Sequence, residues 1–366
     1  MTAWVPAGRD AKLHTCSPSS GKGRPGGSAH SSIGHVVTEN EFPLEPDGTA
    51  LMDIAERPPF RHEAFVYRGE ERFVRGVAAF VAEGAGEAVL VAVTGAHTAV
   101  LRDALAGRAS PVEFLDLAEM GPNPGRMVSV WQDWAERNSA TGRGFRAVYE
   151  PVLAGRGETE LAECRRHDHL LDLAFRHGPA WSLQCAFDAE ALPAAVVDAA
   201  RETHPLLCDG TATTPNPAYI SPESALETVH SAPLAEPGHL VAGLAFDVES
   251  LAQVRGLVRR CAPALGLEPP QLIDFTLVAS ELATNSVRYG GGSGVLRLWR
   301  EGPYAVCEVR DRGMITDPLV GLRRPDFRKG SVGAGLWAVN RVCALVSIRS
   351  TLREGTVVRA HLTLGR

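Results

Sequence analysis

The stretch that decides the fold of the C-terminal part of the chain is Glu281-Leu282-Ala283-Thr284-Asn285, near the end of a predicted helix over residues 269–289. Glu281 and Asn285 are four residues apart, so both side chains project from one helix face. A carboxylate and a carboxamide on one face can hold a hard cation and a nearby hydroxyl or water, and Mg²⁺ prefers such oxygen ligands. Taken alone, the pair is also typical of a solvated helix face.

Three glycine-containing segments follow this helix. Asp311-Arg312-Gly313 ends a predicted strand, where Gly313 permits close backbone approach by a flat ligand. Gly333-Ala334-Gly335-Leu336 opens a helix, whose free N-terminal amides favour phosphate, and Gly355-Thr356 begins the last strand. Each segment alone is compatible with a structural turn, whereas this order on these elements is difficult to obtain by chance. No P-loop is present, because Gly21-Lys22 lacks the following Ser or Thr.

The chain divides into segments that differ in their pattern of apolar residues and in the order of their predicted elements. In residues 240–366 two helices come first and antiparallel strands dominate afterwards, which predicts a two-layer α+β sandwich. In residues 60–208 five apolar strands alternate with amphipathic helices, which predicts an α/β domain with a mostly parallel sheet covered on both faces. Residues 209–239 are Pro-rich and predict a linker with a short helix near Ser224–Val229. Residues 1–58 predict a disordered tail.

The ordered set of motifs resembles the GHKL, or Bergerat-fold, ATPases, which include gyrase, histidine kinases and the bacterial anti-sigma serine kinases. The resemblance spans about residues 245–364 and implies ATP and Mg²⁺ as the bound groups. The segment ending at Asn285 is similar to the family's N box, which implies a Mg²⁺-binding Asn285 and Glu281 as general base. Asp311 and Gly313 resemble the first glycine box, where the aspartate accepts a hydrogen bond from the adenine amino group.

The remaining boxes complete the likeness. Gly333, Gly335 and Leu336 resemble the second glycine box beside the phosphates, and Thr356 would lie near adenine. Residues 314–332 would form a mobile ATP lid. Ile315 departs from the fuller first box, which has a second glycine there. Four lid cations could contact the γ-phosphate or could form a solvated basic loop: Arg323, Arg324, Arg328 and Lys329.

The compact ATPase domain is similar to the anti-sigma branch, in which the kinase phosphorylates a serine or threonine on an anti-anti-sigma (STAS-type) partner and regulates a sigma factor. Relatives of that domain often form homodimers. A second hypothesis is an ATP-holding anti-sigma adaptor that transfers no phosphate, although an intact Glu281 favours the enzyme. A sensor histidine kinase is third, because His62-Glu63 and His167-Asp168 mimic an acceptor dipeptide but lie within the α/β domain.

The α/β domain resembles the MEDS sensory domain in three segments: residues 61–67, residues 163–167 and residues 203–206. The likeness implies a small-molecule or redox sensor with an undefined ligand and a RecA-like sheet without its phosphate loop. Cys164, His167 and His169 have a spacing that could seat a metal, with a fourth ligand such as Cys185 or His62. We favour buried or hydrogen-bonded side chains over a metal for this trio.

Length and composition limit the number of domains and the classes of protein to which this chain can belong. The 366 residues predict two to three domains, and 37 basic against 43 acidic side chains argue against a general nucleic-acid binder. No apolar run is long enough to predict a membrane span, and the N-terminus lacks the apolar core of a signal peptide. The seven cysteines, an odd number without a CxxC pair, predict reduced thiols in the cytoplasm. Residues 241–366 carry 17 basic and 11 acidic groups, whereas residues 1–240 carry 20 and 32, so we expect the two halves to attract each other.

Overall fold

The structure is a computed structural model that describes residues 60–107, 112–229, 232–326 and 333–365. All of these residues belong to one compact unit. The predicted tail over residues 1–58 and the lid residues Arg328 and Lys329 lie outside the described residues. No described helix is both long enough and apolar enough to cross a membrane.

The N-terminal part alternates strands and helices, as the apolar periodicity predicts. Its elements are β1 (Phe60–Tyr67), α1 (Glu70–Glu83), β2 (Ala88–Val93), α2 (Gly95–Ala104), β3 (Val112–Asp116), α3 (Leu117–Met120), α4 (Arg126–Ser139), β4 (Phe145–Tyr149), α5 (Glu158–Phe175), β5 (Trp181–Asp188), α6 (Ala194–Thr203), β6 (Leu206–Cys208), β7 (Thr213–Pro215) and α7 (Pro222–Val229).

These strands form one sheet in the order β3-β2-β4-β5-β1-β6-β7. Every neighbouring pair is parallel except β6 and β7, which confirms the predicted mostly parallel sheet. Strand β2 is a run of apolar residues, five of them buried, because helices cover both faces of the sheet. One face packs around Trp131, Trp134 and Trp181, and the other around Phe65 and Phe73.

The segment predicted as a linker is more ordered than its prolines indicate. Residues 213–215 extend the first sheet as its antiparallel edge strand β7, and Asn216 Nδ2 donates a hydrogen bond to the His204 backbone oxygen at 2.7 Å. Helix α7 follows over Pro222–Val229, as predicted. Proline is tolerated at Pro215 because an edge strand needs no second hydrogen-bond ladder.

In the C-terminal part, the described residues form eight elements: β8 (Ala242–Asp247), α8 (Leu251–Leu265), α9 (Pro269–Tyr289), β9 (Ser293–Glu301), β10 (Tyr304–Asp311), α10 (Ala334–Val342), β11 (Leu345–Thr351) and β12 (Gly355–Thr363). The strands form a fully antiparallel sheet in the order β11-β12-β10-β9-β8. The three helices and the sheet enclose one core, so the predicted α+β sandwich is confirmed.

Helix α9 positions the chemistry. Proline opens its first turn, and the Gln271 side chain accepts the backbone N–H of Glu268 at 3.0 Å. Phe275, Val278 and Leu282 are buried against the sheet. Glu281 and Asn285 occupy the neighbouring face and are half-buried, so they border the core without entering it.

Candidate functional site

A cavity of about 250 Å³ lies between α9, the end of β10 and the start of α10. Its walls include apolar side chains from both the helix layer and the sheet, among them Leu282, Val309 and Val358. Six of the residues predicted from the sequence line it: Asn285, Asp311, Gly313, Gly333, Leu336 and Thr356. A half-open cavity with apolar walls and a few polar groups suits a flat heteroaromatic ligand.

The Asp311 carboxylate is held in a fixed orientation. Its Oδ1 accepts the backbone N–H of Gly313 at 2.8 Å, and its Oδ2 accepts the hydroxyl of Ser286 on α9. Gly290 leaves room for it, because a Cβ at that position would collide with the carboxylate. Asp311 is therefore a preorganised hydrogen-bond acceptor in the wall of the cavity.

Thr356 ties the last strand to the segment after β10. Its Oγ1 donates to the Gly313 backbone oxygen at 2.9 Å and lies 2.8 Å from Ser350 Oγ, which accepts the N–H of Ile315 at 2.8 Å. Gly355 permits this approach, because it has a φ of 78° and a Cβ there would collide with the Asp311 backbone oxygen. Ile315, where the family pattern has glycine, lines the cavity and packs against the C-terminal core.

Glu281 and Gly335 lie beside the cavity, not in its lining, and they meet Asn285. A Cβ at Gly335 would collide with Glu281 Oε2 and would lie 3.6 Å from Asn285 Nδ2. Gly333, with a φ of 80°, caps the N-terminus of α10 just before this contact. A carboxylate, a carboxamide and the first turn of a helix therefore converge on a space that only a glycine leaves open.

This donor set fits Mg²⁺. The Asn285 amide offers a hard oxygen, the cradle at Gly335 has no side chain to fill it, and the amides that open α10 favour phosphate oxygens.

Sequence reasoning missed two serines of the site, Ser286 and Ser350. Ser286 sits 25 residues before its partner Asp311, and Ser350 sits 35 residues after Ile315. An isolated serine carries no motif, so only a known strand register could have identified them. The adjacency of Ser286 to Asn285 is the one available signal.

The segment after β10 also contacts the N-terminal part of the chain. Leu319 and Leu322 are buried in the same core cluster as Trp131 and Trp134. Arg324, predicted as a lid cation, pairs with Glu136 on α4 at 2.8 Å and with Asp133 at 3.0 Å. Arg323 faces Asp317 of its own segment at 3.8 Å.

Asn340 on α10 joins the same region from the other side. Its Nδ2 donates to the Gly321 backbone oxygen at 3.1 Å, and its own backbone oxygen accepts Arg126 Nε at 3.0 Å. Arg349 on β11 pairs with the buried Glu163 on α5 at 3.0 Å. Among the described residues, these ion pairs join a basic C-terminal residue to an acidic N-terminal one, and the attraction between the two halves stays a prediction.

In the N-terminal part, Cys164, His167 and His169 lie along α5 and are buried. Burial disfavours the imidazolium form, which lowers the pKa of His167 to about 3 and that of His169 to about 4. Among the described residues, the ligand atoms that converge belong instead to His62, Cys185 and His204. Two of its three members, His62 and Cys185, are residues that the sequence suggested only as a fourth ligand.

Comparison with known families agrees with this geometry. Residues 244–362 match the model of the histidine kinase-like ATPase domain, and residues 61–205 match MEDS, the MEthanogen/methylotroph, DcmR Sensory domain. No curated protein matched the chain. The C-terminal part is thus a GHKL-type ATPase domain, a class that binds ATP, usually with Mg²⁺.

The particular combination is a MEDS sensory domain followed by that ATPase domain, which is the make-up of a regulatory, kinase-like protein.

Proposed function

We propose that the protein is an ATP-dependent serine/threonine kinase of the anti-sigma type. In this proposal it phosphorylates a serine or threonine of an anti-anti-sigma (STAS-type) partner and thereby controls the sequestration of a sigma factor. The MEDS domain senses a small-molecule or redox signal and acts on the ATPase domain. The family matches support the regulatory, kinase-like and ATP-binding parts of this proposal.

The observation that carries the kinase assignment is the position of Glu281. Its carboxylate lies one helical turn before Asn285 and against Gly335 at the opening of α10. Among the described residues, no hydrogen bond or ion pair engages this carboxylate, and the side chain is half-exposed. A base that is accessible and has no competing donor is suited to accept a proton from a hydroxyl of an incoming partner.

The transfer step follows from these positions. The partner hydroxyl gives its proton to the Glu281 carboxylate while its oxygen forms a bond to the γ-phosphorus of ATP, and the bond from that phosphorus to the bridging oxygen breaks to release ADP. Asn285 would hold Mg²⁺, which when bound neutralises charge on the phosphate oxygens. Asp311 would accept a hydrogen bond from the adenine amino group, and the amides that open α10 would bind phosphate oxygens.

The buried state of two histidines disfavours a histidine kinase. His62 is fully buried and His167 is 3% exposed, so neither can reach a γ-phosphate from another domain without local unfolding. The second candidate, an adaptor that binds ATP without transfer, has no use for an accessible carboxylate at position 281.

Transfer of labelled phosphate from ATP to candidate STAS-type partners tests the proposal. We expect acid-stable label on the partner with the wild-type chain and a loss of about 10²- to 10⁴-fold with Glu281→Gln, because the base is removed. Asp274→Asn changes an exposed carboxylate earlier on the same helix and should leave the rate unchanged.

ATP binding by Glu281→Gln, measured by equilibrium titration, should match wild type. Unlabelled partners with retained ATP binding would instead support the adaptor. Acid-labile label on the chain itself would support the histidine kinase.

A further inference from the structure

Three buried side chains of the N-terminal sheet converge beneath its helices. His62 lies on β1, Cys185 on the adjacent strand β5, and His204 directly after α6. One nitrogen of each imidazole and the Cys185 sulfur all lie within 4.8 Å of one another, and all three residues are fully buried. Because His62 pairs in register with Leu183, His62 and Cys185 are diagonal neighbours on one face of the sheet.

The Asp172 carboxylate fixes the orientation of the His62 imidazole. Its Nδ1 lies 3.0 Å from Asp172 Oδ1, and the other carboxylate oxygen accepts the Tyr219 hydroxyl at 2.8 Å. With its proton on Nδ1, the imidazole presents the Nε2 lone pair to Cys185, whose sulfur is 3.4 Å away. A carboxylate behind a histidine is the arrangement that orients metal-ligating imidazoles in proteins.

The preceding helix α6 fixes the orientation of the His204 imidazole. Its Nδ1 donates to the Ala200 backbone oxygen at 2.8 Å, so Nε2 carries the free lone pair. Among the described residues, His204 Nε2 has no hydrogen-bond partner. A buried acceptor without a partner is destabilising, so a fully buried site that retains one is expected to have a ligand for it.

A hydrogen bond within the trio cannot satisfy both imidazoles. The Cys185 thiol has one proton, and His62 Nε2 is the atom at hydrogen-bonding distance from it. A cation at the centre of the trio would engage both Nε2 lone pairs and the sulfur together. Bonds of about 2.0–2.3 Å place tetrahedral ligands roughly 3.5 Å apart, close to the 3.4 Å between His62 and Cys185.

We propose that His62, Cys185 and His204 form a binding site for a transition-metal ion in the sensory domain. Two imidazoles and one thiolate are donors for Zn²⁺ and its neighbours in the first transition series, not for Mg²⁺ or Ca²⁺. On binding, the S–H bond of Cys185 breaks, a metal–sulfur bond forms, and the proton leaves to solvent. Three protein ligands leave a fourth position for another donor.

Cobalt(II) titration of the full-length chain tests this site, because a cobalt–thiolate bond gives a charge-transfer absorption band that nitrogen and oxygen ligands alone do not give. We expect about one cobalt ion per chain with this band, and displacement of cobalt by zinc. Cys185→Ala should abolish the band. The matched control is Cys164→Ala, which removes another buried thiol of the same core and should keep it.

His204→Gln provides a second variant in case Cys185→Ala does not fold, as judged by its thermal unfolding. This variant should weaken metal binding by at least tenfold. The control His169→Gln changes a buried histidine of α5 outside the trio and should alter metal binding little. A folded wild-type chain that binds no cobalt or zinc would overturn the site. A charge-transfer band that survives Cys185→Ala and disappears with Cys164→Ala would also overturn it.

Discussion

Asn123, in the loop before α4, and Asn340, on α10, join the N-terminal and C-terminal parts of the chain near the candidate site. Asn123 Nδ2 donates to the Asn340 backbone oxygen at 2.9 Å and lies 3.2 Å from Asn340 Oδ1, and both side chains are buried. Asn340 Nδ2 also donates a hydrogen bond to the Gly321 backbone oxygen. The Asn340 side chain on α10 therefore contacts both the segment after β10 and the N-terminal part of the chain. Under the proposed function, we expect this contact to couple a change in the sensory domain to the segment after β10.

Removal of either asparagine is expected to change both stability and ATP affinity. Asn340→Ala leaves buried polar groups unpaired and should lower the free energy of unfolding by about 1–3 kcal/mol. Asn123→Ala keeps the bond to Gly321 and should shift the Kd for ATP several-fold in the same direction as Asn340→Ala. Asn138→Ala on α4 removes only a bond to Trp134 within its own helix and is the control. An unchanged Kd in Asn123→Ala would rule out this route.

Asp311→Asn is expected to weaken ATP binding by about 10- to 100-fold, since a hydrogen bond to a charged group contributes about 1.5–3 kcal/mol. The informative readout is the ratio of affinities for ATP and inosine triphosphate, which lacks the amino group. The wild-type chain should prefer ATP, and the variant should lose most of that preference. If the ratio stays the same, Asp311 does not contact the purine amino group.

Gly335→Ala separates chemistry from folding. The added methyl group displaces the Glu281 carboxylate, which is the flexible end of a side chain, so the fold should tolerate it. We expect phosphoryl transfer to fall at least tenfold, because the proposed base moves, with a thermal midpoint within a few degrees of wild type. Gly256→Ala adds the same methyl group to α8, where among the described residues it would meet only the end of the Arg260 side chain, and should leave transfer intact.

The pair of His97 and Glu150 predicts a pH dependence of stability. The hydrogen bond of His97 Nδ1 to Glu150 Oε1, at 2.6 Å, is the main cause that raises the pKa of His97, and burial opposes it. A raised folded-state pKa stabilises the fold below the ordinary histidine pKa of about 6.5, and that contribution is lost as the pH rises through the raised value.

Thermal unfolding of wild type and His97→Gln measures this contribution. We expect wild type to be more stable by about 1 kcal/mol at pH 6, with the difference vanishing towards pH 9. A difference that grows with pH would contradict the assignment. Because both proteins share the other buried histidines, their contributions cancel in the comparison.

Much of the fold follows from local pattern. Helix α9 begins and ends at the residues that the sequence predicts, because a helix is closed by hydrogen bonds between near neighbours in sequence. The sequence predicts a linker where strand β7 forms. A three-residue edge strand has no recognisable pattern of its own, because it is defined only by its pairing with β6.

By itself, the sequence determined the ATPase class. The sequence alone shows which residue types occur in which order: Glu281, Asn285, Asp311, Gly335 and Thr356. Their side-chain donors and acceptors, and the backbone freedom of the glycine, are properties of the residue types themselves.

Only the tertiary structure decided which distant side chains meet. Ser286 reaches Asp311 across 25 residues, His62 reaches Cys185 across 123, and Asn123 reaches Asn340 across 217. Such contacts depend on strand order and on the packing of helices and loops against each other and against the sheets, and no local propensity encodes them. The physical reason is that local periodicity sets which face of an element is buried, whereas the assembled core sets what that face touches.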